Sequence, residues 1–80
     1  DRIYGQHTVA AWIEAQPARL RTLFFDADGG DPVRRIVARA RAAGVAVQAL
    51  PGDAIAERAG GRRHQGLVAD CSPFPYAEVE

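Results

Sequence analysis

Eighty residues with ten basic and ten acidic side chains carry no formal net charge, and 48% are hydrophobic; a chain of this size makes one domain that buries only about 60% of its unfolded surface. The neutral balance excludes a global electrostatic pull toward nucleic acid, so any such affinity must come from local clusters of charge. The single cysteine, Cys71, excludes an internal disulfide and a cysteine-rich metal site, and no apolar run approaches the roughly 20 residues that cross a bilayer, so a cytoplasmic chain without a membrane partner is expected.

Taken in order, Val9, Ala10, Trp12 and Ile13 fall at helical spacing and predict a first helix from His7 to about Ala15, entered through Gly5 and ended by Pro17. Trp12 on that apolar stripe is expected in the core. Leu20 to Phe25 is rich in Leu and Phe and stops at Asp28, Gly29 and Gly30, which predicts a strand. Asp31-Pro32 has the form of a helix cap followed by proline at the first helical position. The helix that follows places Val33, Ile36, Val37 and Ala40 on one face and stops at Gly44. Val45 to Leu50 predicts a second strand, parallel to the first across the helical crossover. Asp53 is a candidate cap for a short helix with Ile55 and Ala59 turned inward, broken at Gly60-Gly61. Leu67, Ala69 and Cys71 then alternate with Val68 and Asp70 in a third, half-buried strand. Strands alternating with helices predict an α/β domain, a small three-layer α/β/α sandwich. The two prolines after Ser72 predict an extended linker, which gives a domain over residues 1–72 and a linker start over 73–80.

Material for catalysis is scarce. Leu23-Phe24-Phe25-Asp26-Ala27-Asp28-Gly29 has the strand-end aspartate pair of haloacid-dehalogenase-type phosphatases. That chemistry also needs a lysine to neutralise the phosphoryl group, and the chain has none. An acidic turn leading into the next helix accounts for the stretch. Ser72, the only serine, sits beside Pro73, while Cys71 shares a strand face with Leu67 and Ala69 and reads as core. His7, His64 and Cys71 lack a paired-ligand spacing for a metal. No catalytic residue is assigned, and no cofactor site.

Arginine supplies all ten basic side chains. Arg34, Arg35, Arg39 and Arg41 read as a solvated helix face, with phosphate contact the other possibility, and Arg19 and Arg21 flank the first predicted strand. The stretch Arg62-Arg63-His64-Gln65-Gly66 is a donor-rich loop opening onto a strand. Arg and Gln suit phosphates, riboses or base edges, His stacks on bases, and Gly66 permits close approach. The same residue types also make a turn in which His64 and Gln65 bond neighbouring backbone groups.

Ile3-Tyr4-Gly5-Gln6-His7-Thr8-Val9, together with His64-Gln65-Gly66-Leu67-Val68-Ala69 and the trailing Pro73-Phe74-Pro75-Tyr76, resembles the N-terminal substrate-binding domain of the SpoU/TrmH family of ribosomal RNA 2'-O-methyltransferases. The likeness is greatest to the enzymes that methylate a guanosine ribose of 23S rRNA. It spans nearly the whole chain, with Thr8 where alanine is frequent and Asp70-Cys71 where a basic and an apolar residue often follow. The resemblance implies a fold like that of the ribosomal proteins that bind kinked RNA, with ribosomal RNA as partner. On the residues' own chemistry Arg62 and Arg63 are expected to anchor phosphates, with His7, His64, Gln65 and Gly66 meeting splayed bases or riboses. The resemblance also implies a separate C-terminal catalytic domain that holds S-adenosylmethionine and forms a homodimer, this domain alone being a monomer. The other class of function for such a fold is a docking or regulatory module packed on its own catalytic domain or on another protein.

Overall fold

Within residues 2–60 and 65–72, which the computed structural model describes, strands and helices alternate along the chain. They are β1 (Arg2–Tyr4), α1 (Gln6–Ala15), a single 3-10 turn (Pro17–Arg19), β2 (Leu20–Asp26), α2 (Gly30–Ala42), β3 (Ala46–Leu50), α3 (Gly52–Ala59) and β4 (Leu67–Cys71). The sheet order is β1-β4-β2-β3. β2 and β3 are parallel, as the crossover predicts, while β4 lies between β1 and β2 and is antiparallel to both. It follows that β1, β2 and β3 all end at one edge of the sheet, and each is followed there by the start of a helix.

Two apolar clusters define three layers. Val9 and Ile13 of α1 and Val33, Ile36, Val37 and Ala40 of α2 pack on Leu20, Leu23, Leu67, Ala69 and Cys71 on one side of the sheet. Ile55 and Ala59 of α3 pack on Phe24 and Val68 on the other. The α/β/α sandwich expected from alternation is present, and the apolar stripe of α2 faces inward as its spacing requires. Each buried aliphatic side chain contributes roughly 1.5 to 3 kcal/mol, and α2 supplies three of them. Trp12 packs half-buried against the larger cluster, with the Arg19 guanidinium 4.9 Å from its ring centroid.

Four expectations need correction. β1 was not anticipated: three residues are too few for alternation to show, and its pairing partner Asp70-Ala69-Val68 lies at the far end of the chain. β4 is buried on both faces, because α3 covers Val68 while α1 and α2 cover Leu67, Ala69 and Cys71. Asp31 does not cap α2. The Asp26 carboxylate accepts from the Asp28 backbone N–H (2.9 Å), Gly29 N–H bonds to Asp26 C=O (2.9 Å), and this turn starts the helix at Gly30 with Asp31 already inside its first turn. Likewise Pro51, not Asp53, precedes α3, and its carbonyl receives the N–H groups of Ala54 and Ile55. Both aspartates instead place negative charge at positive helix ends. No helix among the described residues is long and apolar enough to cross a membrane.

Candidate nucleic-acid interface

The two polar corners of the sequence, 59 residues apart, meet at the edge where β1, β2 and β3 end. β1 hands the chain to α1 through Gly5, whose φ of 89° and ψ of 159° fall in a region open essentially to glycine alone. Its N–H bonds to the Leu67 carbonyl (3.2 Å) and its carbonyl receives Val9 N–H (3.1 Å), so one residue ties the start of α1 to the start of β4. Beside it the Gln65 side-chain Oε1 accepts the backbone N–H of Gln6 (2.9 Å), and the Gln6 side-chain Nε2 reaches the Gln65 carbonyl (3.4 Å). Gln65 therefore satisfies one of the N–H groups that the first turn of a helix leaves without an internal partner.

The backbone at Gln65 and Gly66 is fixed by its conformation. Gln65 has φ 51° and Gly66 φ 81°, two successive left-handed residues, of which only the glycine adopts that conformation without cost. Gly66 is buried; its carbonyl receives Asp26 N–H (2.9 Å), and a Cβ there would come within 3.1 Å of Val33 Cγ2. The glycine thus locks the loop against the end of β2 and leaves the Gln65 side chain exposed. His7, in the first turn of α1, is also exposed. Gln6 is the contact that residue-type reasoning missed. Its signal in the sequence was its place as the first donor of a helix with no capping side chain ahead of it.

The electrostatics of this edge are uneven. α2 and α3 carry Asp31 and Asp53 in their first turns, whereas α1 has no acidic residue in its own. Asp26 and Asp28 lie at the end of β2 and in the turn after it. Four carboxylates therefore lie along this edge of the sheet, and the α1 corner, with Gln6 and His7, is its neutral and donor-rich part. Such a surface suits bases and riboses better than phosphate. Of the expected contacts the structure brings Gln65 and Gly66 to the start of α1, next to His7; Arg62, Arg63 and His64 lie outside the described residues. Asp70, suspected of repelling RNA, points to the α3 side of the sheet and pairs with Arg2 at 2.9 Å. Arg19 is engaged with Ser72 C=O (3.0 Å) and with Trp12. Arg34 and Arg39 pair with Asp31 and Glu14 at 3.9 and 3.5 Å on the surface, so half of the α2 arginines are in ion pairs.

The family model described as RNA 2'-O ribose methyltransferase substrate binding matches residues 2–77. The chain is also similar to 23S rRNA (guanosine-2'-O-)-methyltransferase RlmB of Acinetobacter baylyi, 38% identical over 74 residues, which cover 90% of this chain and 29% of that protein. A match that begins in β1, takes in both polar corners and runs beyond β4 leaves no element of the fold unexplained, and the chain belongs to the family of RNA 2'-O ribose methyltransferase substrate-binding domains.

Proposed function

We propose that these residues form the RNA-recognition domain of a 23S rRNA guanosine-2'-O-methyltransferase, which holds a ribosomal hairpin for a catalytic domain beyond the linker at 73–80. The observation that carries this reading is the junction of Gln6 with Gln65, which sets an exposed histidine and two amides side by side on a rigid strand end. Splayed bases and riboses meet His7, His64 and Gln65, with the buried Gly66 holding Gln65 in place, and Arg62 and Arg63 take the adjoining phosphates. S-adenosylmethionine, the methyl donor such enzymes use, does not fit the residues described. The cleft bordered by Arg2, Arg21, Asp70 and Cys71 is walled mainly by charged side chains, and its two guanidiniums would repel the sulfonium cation. Methyl transfer belongs in this reading to a separate catalytic domain, to which the family resemblance also assigns dimerisation, and the whole enzyme is proposed to work in the cytoplasm, where ribosomes are assembled.

Gln65→Gly separates recognition from folding. The glycine relieves the left-handed backbone by about 1 kcal/mol, and the lost hydrogen bond costs about as much. Stability in urea is then expected to change by less than about 1 kcal/mol, while affinity for a large-subunit rRNA stem-loop falls about tenfold, the equivalent of about 1.4 kcal/mol. Unchanged RNA affinity in a folded Gln65→Gly chain would remove this corner from the interface.

A further inference from the structure

At the opposite end of the sheet the register of β2 against β4 steps from Leu20–Cys71 to Thr22–Asp70, a bulge at Arg21. Bulges re-aim side chains and recur at functional sites. Here the bulge brings Arg21 to a cleft of about 320 Å³ that it shares with Arg2, Asp70 and Cys71. Arg2 is fixed in place, its Nε donating to Asp70 Oδ1 (2.9 Å) and its Nη1 to the Arg58 carbonyl (2.9 Å). It nevertheless keeps 42% of its side chain exposed. Arg58, at the end of α3, lies with its guanidinium 4.1 Å from the Phe24 ring centroid, held flat by cation–π attraction. Among the described residues two guanidiniums and one carboxylate line the cleft, with the Arg58 backbone bonded to Arg2 beside it, in a chain whose total charge is zero.

From this arrangement we infer that Arg2, Arg21 and Arg58 form a second RNA subsite, one that grips backbone phosphates with preordered guanidinium forks and offers the Arg58 plane to a base. It rests on the RNA-binding reading above and divides the work between two ends of the sheet. The neutral corner at α1 meets bases and riboses, and the arginine cleft meets phosphate. The two lie one strand apart, about 15 Å along the five residues of β4, a span that one RNA hairpin covers. Guanidiniums already immobilised by protein partners lose little further freedom when they bind a phosphate fork.

The test is the salt dependence of binding to a large-subunit rRNA stem-loop. Each neutralised phosphate contributes about 0.7 to 0.9 to the slope of log affinity against log salt. Arg21→Ala with Arg58→Gln is expected to lower that slope by about 1.4 to 1.8 and to weaken binding at low salt at least about tenfold. Arg35→Ala with Arg41→Ala, on the outer face of α2, should leave the slope unchanged. Asp70→Asn guards against a trivial loss of fold: the amide oxygen keeps an acceptor for Arg2 Nε while the negative charge that lines the cleft among the described residues is removed, so RNA binding is expected to strengthen several-fold. Unchanged slopes in both cleft variants, with the unsubstituted chain still binding RNA, would overturn the subsite alone and leave the cleft to an acidic protein surface. Failure of the unsubstituted chain to bind the stem-loop would overturn both readings.

Discussion

Gly66→Ala is expected to destabilise the fold by about 2 to 4 kcal/mol. A left-handed backbone costs an L-residue roughly 1 to 2 kcal/mol, and Gly66 sits at φ 81°. The added methyl would also stand 3.1 Å from Val33 Cγ2 and 3.5 Å from Asp26 Cβ, and crowding of this kind typically costs about 1 to 3 kcal/mol. Val33 is 1% exposed in the core of α2 and has little room to yield. For a chain of this length total stability is of order 4 to 12 kcal/mol, so the substitution removes a large part of it. Thermal unfolding should fall by roughly 10 to 25 °C, at about 4 to 8 °C per kcal/mol. Urea unfolding checks this directly, with the midpoint lowered and the slope with denaturant unchanged. A loss below about 1 kcal/mol would mean that the loop shifts freely against β2 and does not hold Gln65 in place.

Leu23→Ala should cost as much or more, about 2.7 to 5 kcal/mol. Leu23 is fully buried in the middle of β2, opposite Ala69 of β4 and Val47 of β3, and it faces the cluster formed by α1 and α2. Small neighbours on both sides leave little that can move in to fill the space. Leu50→Ala, at the half-buried margin of the α3 cluster, offers the comparison and should cost less than half as much. Equal effects at the two positions would contradict the division of the core into a closed side under α1 and α2 and an open side under α3.

Local features of the sequence were read well where a periodic pattern ran for several turns. The stripe Val33, Ile36, Val37, Ala40 located α2 and its buried face, and the run from Leu20 located β2. Ends of elements were harder. Asp31 has the composition of a cap, but the chain had already turned through the hydrogen bonds of Asp26 to Asp28 and Gly29, leaving it two positions past the cap at Gly29. The three residues of β1 owe their conformation to β4, a partner 64 to 68 positions away, and nothing local could signal them. The candidate site followed the same rule. Gln65 and Gly66 could be singled out from residue type and His7 from the family resemblance, while the Gln6–Gln65 junction arises only when β1 pairs with β4. The arginine cleft was invisible for a related reason, since its members come from β1, a bulge in β2 and β4, with the end of α3 beside it.

Asp70 illustrates how placement changes a residue's meaning. In the sequence it follows the Gln65-Gly66 loop and stands as a charge hostile to RNA. In the fold the alternation of β4 turns it to the α3 side, where it orients Arg2 at an exposed ion pair of a kind that contributes only about 0 to 1 kcal/mol to stability. Its role is then one of positioning.

Titration of the isotopically labelled chain with a large-subunit rRNA stem-loop, followed by backbone amide shifts, bears most directly on the proposed grip. Saturable shifts at Gln6, His7, Gln65 and Gly66 are expected, with a DNA stem-loop of the same sequence binding at least about tenfold more weakly because it lacks the 2'-hydroxyls. Shifts that spare these four residues, or that are the same for RNA and DNA, would contradict recognition of RNA at the meeting point of the two corners.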